Sequence, residues 1–172
     1  MTQTTAWKVK HKLKQVMLER DASRQLTGRV EIDDAYLGGE RSGGKRGRGA
    51  AGKTPFVAAV EITPVGKPVR IKLGRVSAFS NQALSAFAKR CLGPSCSVVS
   101  DGLQCFTSVP VAGCTRQAIK TEGGVTAVRN AAFKWVNTAL ANIKAAIVGT
   151  YRSINGKHVP RHFAEFEYRF NR

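Results

Sequence analysis

The chain has 172 residues and a hydrophobic content of 42%, which is enough to bury a core and indicates a folded domain rather than a disordered one. Its 28 Lys and Arg against 11 Asp and Glu give a formal net charge of +17, which favours a polyphosphate partner such as nucleic acid. No apolar run is long enough to cross a membrane, and the basic N-terminus lacks the apolar core of a signal peptide, so we expect a cytoplasmic protein with no membrane partner.

The pattern of apolar residues predicts helices and strands in alternating order. A basic amphipathic helix over 5–20, with its apolar stripe at Val9, Leu13, Val16 and Met17, precedes strands at 29–37, 55–62 and 68–76. A helix over 80–91, a strand at 97–101, a helical turn near 103–109, a candidate strand at 115–119 and helices at 131–148 and from Pro160 follow. Gly149 is the predicted C-cap of the helix over 131–148. We expect a helix and connection at 1–28 and an α/β domain at 29–172.

The four cysteines, Cys91, Cys96, Cys105 and Cys114, contain no C-x-x-C pair. Their spacing therefore favours small buried hydrophobes over zinc ligands.

Residues 40–53, ERSGGKRGRGAAGK, combine five glycines with five cations and almost no apolar side chains. This composition is typical of a loop and not of a core element. We predict that the loop contacts DNA phosphates through Arg41, Lys45, Arg46, Arg48 and Lys53. A solvated linker without a partner is the alternative.

The stretch VEIDDAYLGG, residues 30–39, places three acids in a predicted strand. A half-buried carboxylate is unfavourable unless Lys or Arg, or a metal ion, compensates it. Three antiparallel strands followed by a helical crossover would bring the strand at 97–101 beside the first one, so that Asp33 and Asp101 become neighbours. A divalent cation between them would relieve their mutual repulsion.

Two aspartates on adjacent strands and a polar residue on a late helix form the layout of ribonuclease H-like two-metal enzymes. The blocks VEIDDAYLGG, GKTPF, SVVSDGL, WVNTALANIKAAIVGTYR and EFEYRFNR together resemble the ISXO-like family of bacterial insertion-sequence transposases, from about residue 7 to the end. This resemblance implies a DDE-type enzyme on a ribonuclease H-like mixed five-stranded sheet flanked by helices. It also implies two Mg²⁺ or Mn²⁺ ions, double-stranded DNA (element ends and target) as partner, and a homo-oligomer when assembled on DNA.

The same resemblance assigns residue roles. Asp33 is the first metal ligand and Asp101 the second, while Asp34 is supportive or pairs with the basic loop. A branch of the family has Asn as third ligand with Lys seven residues later, and this implies that Asn137 is the third ligand and Lys144 a phosphate contact. That spacing is two helical turns and puts both side chains on one face. A surface role for Asn137, or Asn142 as ligand, is the alternative.

Three functions remain open from the sequence. The first is DNA cleavage followed by strand transfer in transposition. The second is a truncated, catalytically inactive remnant that only binds nucleic acid, which the absence of the family's upstream DNA-end-binding region would favour. The third is a basic RNA-binding protein without an active site.

Overall fold

The computed structural model describes residues 1–38, 53–119, 130–151 and 154–172. Within these ranges five strands, numbered in chain order, form one sheet in the order β3-β2-β1-β4-β5. The pairs β1–β2 and β2–β3 are antiparallel, and the pairs β1–β4 and β4–β5 are parallel. The predicted mixed five-stranded sheet is therefore confirmed. The strands are β1 (Arg29–Leu37), β2 (Thr54–Ile62), β3 (Pro68–Arg75), β4 (Ser97–Asp101) and β5 (Thr115–Ile119).

Helices cover both faces of the sheet. They are α1 (Gln3–Asp21), α2 (Asn81–Cys91), α3 (Lys134–Tyr151) and α4 (Val159–Phe170), with 3-10 segments at Gln104–Ala112, Ala131–Phe133 and Gly156–His158. The helix predicted over 80–91 is α2, which begins after the N-cap Ser80, whose hydroxyl accepts the N–H of Ala83. The helices in these described ranges include none that is both long and apolar enough to span a bilayer.

The sheet is buried on both sides because its side chains alternate between two apolar clusters. On one side Val30 and Ile32 pack with α2 and the segment Gln104–Ala112. On the other side Ala35 and Leu37 pack with α3 and α4. Strand β2 contributes to both clusters, which explains why its sequence, TPFVAAVEI, reads as a nearly continuous apolar run.

Two further sequence expectations have clear outcomes. All four cysteines are free and buried, as predicted. The predicted C-cap at Gly149 is wrong, because α3 continues to Tyr151. The phenol ring of Tyr151 packs against His162, with ring centroids 4.5 Å apart, and this contact holds the last turn in helical form. A glycine in a helix costs only about 1 kcal/mol relative to alanine, so tertiary packing can outweigh it.

Helix α1 docks on α4 through polar groups. The buried Lys14 ammonium lies 2.6 Å from the Glu165 carboxylate, 2.9 Å from Nδ1 of His162 and 3.3 Å from the Tyr151 hydroxyl. A second ion pair, Lys72 with Asp21 at 2.6 Å, ties the end of α1 to β3. Trp7 is 52% exposed, and its ring packs on His11 with the ring centroids 4.1 Å apart.

The buried imidazole of His162 makes this docking sensitive to pH. Burial first, and the Lys14 charge second, lower the pKa of His162 from 6.5 to about 4. Between those values the folded chain binds fewer protons at this site than the unfolded chain, so this contribution to stability is lost as the pH falls from about 6.5 towards 4.

We therefore expect His162→Phe to change the pH dependence of stability. The melting temperature of the wild type minus that of the variant should shrink between pH 7.5 and pH 5, because only in the wild type does unfolding expose an imidazole that binds a proton in this range. Thermal melts across this range measure the difference. Tyr151→Phe, which alters the same cluster without removing an imidazole, should show a constant difference. A constant difference for His162→Phe would contradict the assignment.

Candidate metal centre

Three aspartates meet at the carboxyl end of β4. Asp33 and Asp34 lie on β1, and Asp101 is the last residue of β4. One carboxylate oxygen from each lies within 4.8 Å of the others, and all three side chains are half-buried. Among the described residues this is the one group of three acids, histidines or cysteines close enough to hold a metal ion.

Strand register explains why Asp33 and Asp101 come together. The parallel ladder of β1 and β4 pairs Glu31 with Val99, and two further steps along both strands bring Asp33 opposite Asp101. The chain then turns away, since the Asp101 carboxylate accepts the N–H of Leu103 at 3.0 Å. The structure thus brings the two predicted ligands together and adds Asp34 to them. Their role as ligands stays a prediction.

The cluster concentrates negative charge in a partly buried place. Burial, followed by the neighbouring charges of Asp34 and Asp101, raises the pKa of Asp33 from 3.8 to about 7. The N–H of Asp34, which donates to the Asp33 carboxylate at 2.8 Å, and the Lys144 ammonium act in the opposite direction without cancelling the rise. A carboxyl that retains its proton near neutral pH is a favourable site for a metal cation, which would replace that proton.

Glu31 fixes the helix that faces the cluster. Its buried carboxylate accepts the backbone N–H groups of Trp135 at 2.9 Å and Val136 at 3.0 Å, both in the first turn of α3. A carboxylate at a helix N-terminus satisfies free donors and interacts favourably with the helix dipole. These donors lower the pKa of Glu31, but burial has the larger effect and the pKa is raised overall.

Because Glu31 and Asp33 lie two residues apart on β1, they point to the same face of the sheet, the face that α3 covers. Asn137 directly follows Val136 and is half-buried, while Lys144 is exposed seven residues later. The Lys144 charge acts on Asp33, which places Lys144 on the cluster side of α3. The seven-residue spacing puts Asn137 on that same side.

The residues of the basic loop are placed differently. Arg41, Lys45, Arg46 and Arg48 lie outside the described residues. Lys53 is half-buried and directly precedes Thr54, the partner of Leu37 in the β1–β2 ladder. The loop therefore connects the carboxyl end of β1 to β2, and this is the edge of the sheet at which β4 ends with Asp101.

Sequence reasoning missed two residues that shape the site. The anchoring role of Glu31 was signalled only by its two-residue spacing from Asp33, which predicts one common face. Arg116 on β5 donates to the Ser100 hydroxyl at 2.7 Å and to the Asp101 carbonyl at 2.8 Å, and so holds the end of β4. Nothing in the local sequence of β5 indicated this contact.

The donor set fits a hard divalent cation. Carboxylate oxygens are the ligands that Mg²⁺ and Mn²⁺ prefer, and three of them converge here in a partly buried site. Asp33 and Asp101 would hold such an ion, with Asp34 within reach. The amide oxygen of Asn137 is the remaining candidate ligand on the facing helix.

Comparison with known proteins gives a family and a fold. A family model described as the ISXO2-like transposase domain matches residues 25–171. Among 33 matching chains of solved structures is the catalytic core domain of BIV integrase, with a TM-score of 0.50, 12% sequence identity and 80% coverage of each chain. This likeness confirms the predicted ribonuclease H-like fold. A comparison with curated protein sequences found no significant match.

The buried Glu31 carboxylate should contribute strongly to stability. In Glu31→Ala two backbone N–H groups lose their acceptor, and each unsatisfied buried donor costs about 1–3 kcal/mol, so we expect the free energy of unfolding to fall by about 2–4 kcal/mol. Glu31→Gln retains an acceptor oxygen and should cost less. Denaturant unfolding measures both, with Glu61→Ala, which removes exposed contacts to Thr27, as control. A Glu31→Ala protein as stable as the wild type would refute this role.

Metal binding can be tested without any assay of activity. Mg²⁺ or Mn²⁺ should raise the melting temperature of the wild type, because a ligand that binds only the folded state stabilises it. Asp33→Asn should abolish this rise while leaving the metal-free protein as stable or more stable, since it removes one of three mutually repelling charges. A wild type indifferent to both ions, together with a variant that melts early, would mean that Asp33 is structural.

Proposed function

This chain belongs to the ISXO2-like transposase family, and we propose that it cuts DNA strands and joins them to target DNA during transposition of an insertion sequence. The observation that carries this proposal is the convergence of Asp33, Asp34 and Asp101 beneath a helix that presents Asn137 and Lys144. A structural role alone would not require three carboxylates within 4.8 Å of one another.

In the proposed reaction Asp33, Asp101 and Asn137 hold two divalent cations, Mg²⁺ or Mn²⁺. When bound, such ions activate an attacking hydroxyl and stabilise the charge on the leaving oxygen. The neutral amide of Asn137 contributes less negative charge than a third carboxylate would, so the second ion should bind more weakly. Asp34 adds charge close to both aspartates, and Arg116 keeps Asp101 in position through its backbone carbonyl.

Two phosphoryl transfers follow. In the first, water attacks the phosphorus at the element end, the bond to the 3′ oxygen breaks, and a free 3′ hydroxyl is released. In the second, this hydroxyl attacks a phosphorus of the target strand and displaces its 3′ oxygen. Lys144, exposed on the cluster side of α3, binds a phosphate beside the reacting one.

Binding of DNA rests on the overall charge and on the basic loop. With a net charge of +17 the protein attracts any duplex, and the loop joins the edge of the sheet at which the aspartates lie. Cations at that edge would hold the DNA backbone beside the carboxylates. We therefore propose that the cations of 41–53 and Lys144 form one phosphate-binding surface around the site.

Cleavage should depend on the aspartates and binding should not. Asp33→Asn and Asp101→Asn should each lower Mg²⁺-dependent cleavage of labelled element-end DNA by several orders of magnitude, because each removes a charged ligand from the ion that assists both nucleophile and leaving group. Asp34→Asn should cost much less. Affinity for DNA should be retained in all three variants, since it rests on Lys and Arg.

The controls for this assay are EDTA, which should abolish cleavage, and Mn²⁺ in place of Mg²⁺, which should support it. If the wild type binds DNA but never cleaves it with either ion, the chain is an inactive nucleic-acid-binding remnant. Cleavage that survives Asp33→Asn would place the active site elsewhere.

The basic loop should matter for binding more than for folding. Replacing Lys45, Arg46 and Arg48 by Ala should weaken DNA binding and reduce the slope of log affinity against log salt by up to about three, because each phosphate contact releases close to one counterion. The melting temperature should change little, since the loop has few apolar residues to bury.

A matched control is the triple alanine variant of Lys67, Lys89 and Lys157, three exposed lysines outside the loop. It removes the same charge and should reduce the slope less. Equal effects of the two triple variants would mean that only total charge matters, and unfolding of the loop variant would show that the loop is structural.

A further inference from the structure

A cavity of about 300 Å³ lies beside β3, at the edge of the sheet. Helices α1, α2 and α4 enclose it, and we call it the β3 cavity. Its volume is at the lower end of the range for pockets that bind small organic molecules. The described residues that line it include none of the three clustered aspartates, and β2 lies between β3 and β1. The β3 cavity is therefore separate from the candidate metal centre.

The floor of the β3 cavity is a buried polar network. The ammonium of Lys72 lies 2.6 Å from the Asp21 carboxylate, so these two charges neutralise each other. The Glu167 side chain accepts the backbone N–H of Leu73. Burial, the largest effect, raises the pKa of Glu167 from 4.5 to about 7, so this carboxyl is only partly ionised near neutral pH. The floor thus offers hydrogen-bonding groups with little net charge.

The exposed side of the β3 cavity carries two arginines, Arg75 and Arg90. Arg75 donates to the carbonyl of Gly156 at 3.2 Å. Arg90 reaches the edge of β3 because Gly74 has no side chain, since a Cβ there would lie 2.8 Å from Nη2 of Arg90. Within the described part of the chain neither guanidinium forms an ion pair with a carboxylate. Both can therefore pair with an anion, and the guanidinium group is well suited to phosphate.

Most of the remaining lining is apolar. It includes Leu18, Ala22, Pro160 and Phe163. An inorganic phosphate ion would leave this apolar surface uncovered, and a wholly apolar molecule would leave the two guanidinium groups without a partner. The lining therefore fits a molecule that has both an apolar body and a phosphate group.

We propose that the β3 cavity binds one nucleotide, with the nucleobase against the apolar lining and the phosphate at Arg75 and Arg90. A nucleobase has flat apolar faces and an edge of hydrogen-bonding groups, and these match the apolar lining and the polar floor. A free nucleotide and an unpaired nucleotide at the end of a DNA strand share this chemistry.

Calorimetric titration of the full chain with each of the four deoxynucleoside 5′-monophosphates tests the proposal. EDTA is present, so that no ion at the aspartate cluster contributes to binding. At least one nucleotide should bind at a single site, and at least about tenfold more tightly than its nucleoside or inorganic phosphate, because only the nucleotide uses both parts of the lining. No binding of any nucleotide, or equally tight binding of inorganic phosphate, would overturn the proposal.

Three variants distinguish a defined site from general attraction by a basic protein. Arg90→Gln should weaken nucleotide binding by at least about tenfold, whereas Lys89→Gln, which removes the same charge outside the cavity, should change it little. Ala22→Phe keeps the charge, fills part of the cavity and should abolish binding. All three residues are exposed, so none of these changes should unfold the chain. Equal effects of Arg90→Gln and Lys89→Gln, or wild-type affinity in Ala22→Phe, would contradict the site.

Competition identifies the source of the nucleotide. A short single-stranded oligonucleotide that displaces the nucleotide from the wild type, and binds Ala22→Phe more weakly, identifies the end of a DNA strand as the ligand. An oligonucleotide that leaves the nucleotide bound identifies a free nucleotide. Asp33→Asn should bind the nucleotide as the wild type does, so the result does not depend on whether the chain cleaves DNA. Loss of nucleotide binding in Asp33→Asn would place the nucleotide at the metal centre and overturn the proposal.

Discussion

One buried carboxylate determines how the candidate site is assembled. Glu31 accepts two N–H groups from the first turn of α3 and so joins that helix to the middle of β1. This contact sets how Asp33, two residues after Glu31 on the same face, lies relative to Asn137, which directly follows Val136. Helix packing alone allows sliding by a fraction of a turn, whereas two hydrogen bonds to one buried oxygen fix the register. Stability and the geometry of the site thus depend on one interaction.

At the aspartate cluster, unlike at Glu31, the interactions between the side chains destabilise the metal-free fold. Three carboxylates brought together in a partly buried place repel one another, and the raised pKa of Asp33 reflects that cost. The fold can hold them because the β1–β4 ladder, the Leu103 N–H and the Arg116 side chain fix the backbone on both sides. Ionisable residues in an electrostatically unfavourable environment are typical of functional sites. Binding of a cation would then restore part of the stability that the metal-free fold loses through this repulsion.

Much of the fold could be predicted because its signals are local. Alternation and turn residues predicted all five strands to within one residue at each end, and the order of the elements brought Asp33 beside Asp101. The errors arose where tertiary contacts outweigh local preference. Gly149 does not end α3, because Tyr151 packs on His162 beyond it. The predicted apolar stripe of α1 does not face the domain, because the buried Lys14 orients this helix.

The site itself was only partly predictable. The order of the strands predicted that Asp33 and Asp101 are neighbours. The seven-residue spacing predicted that Asn137 and Lys144 lie on one face of a helix. The anchoring by Glu31 and the support by Arg116 depend on which backbone groups lie within hydrogen-bond distance after folding. Such contacts join residues 105 positions apart for Glu31 and Val136 and 15 apart for Arg116 and Asp101, and they leave no periodic trace in the sequence, because one acid or one arginine forms no pattern.

The most direct measurement of the central claim is anomalous diffraction from crystals of this protein soaked in Mn²⁺. The account predicts an anomalous peak between the carboxylates of Asp33 and Asp101, with oxygen ligands at about 2.0–2.6 Å and with no such peak in Asp33→Asn crystals. A second, weaker peak on the Asn137 side would correspond to the second ion. Full soaking without a peak at these residues, or with an equally strong peak in the Asp33→Asn protein, would contradict the account.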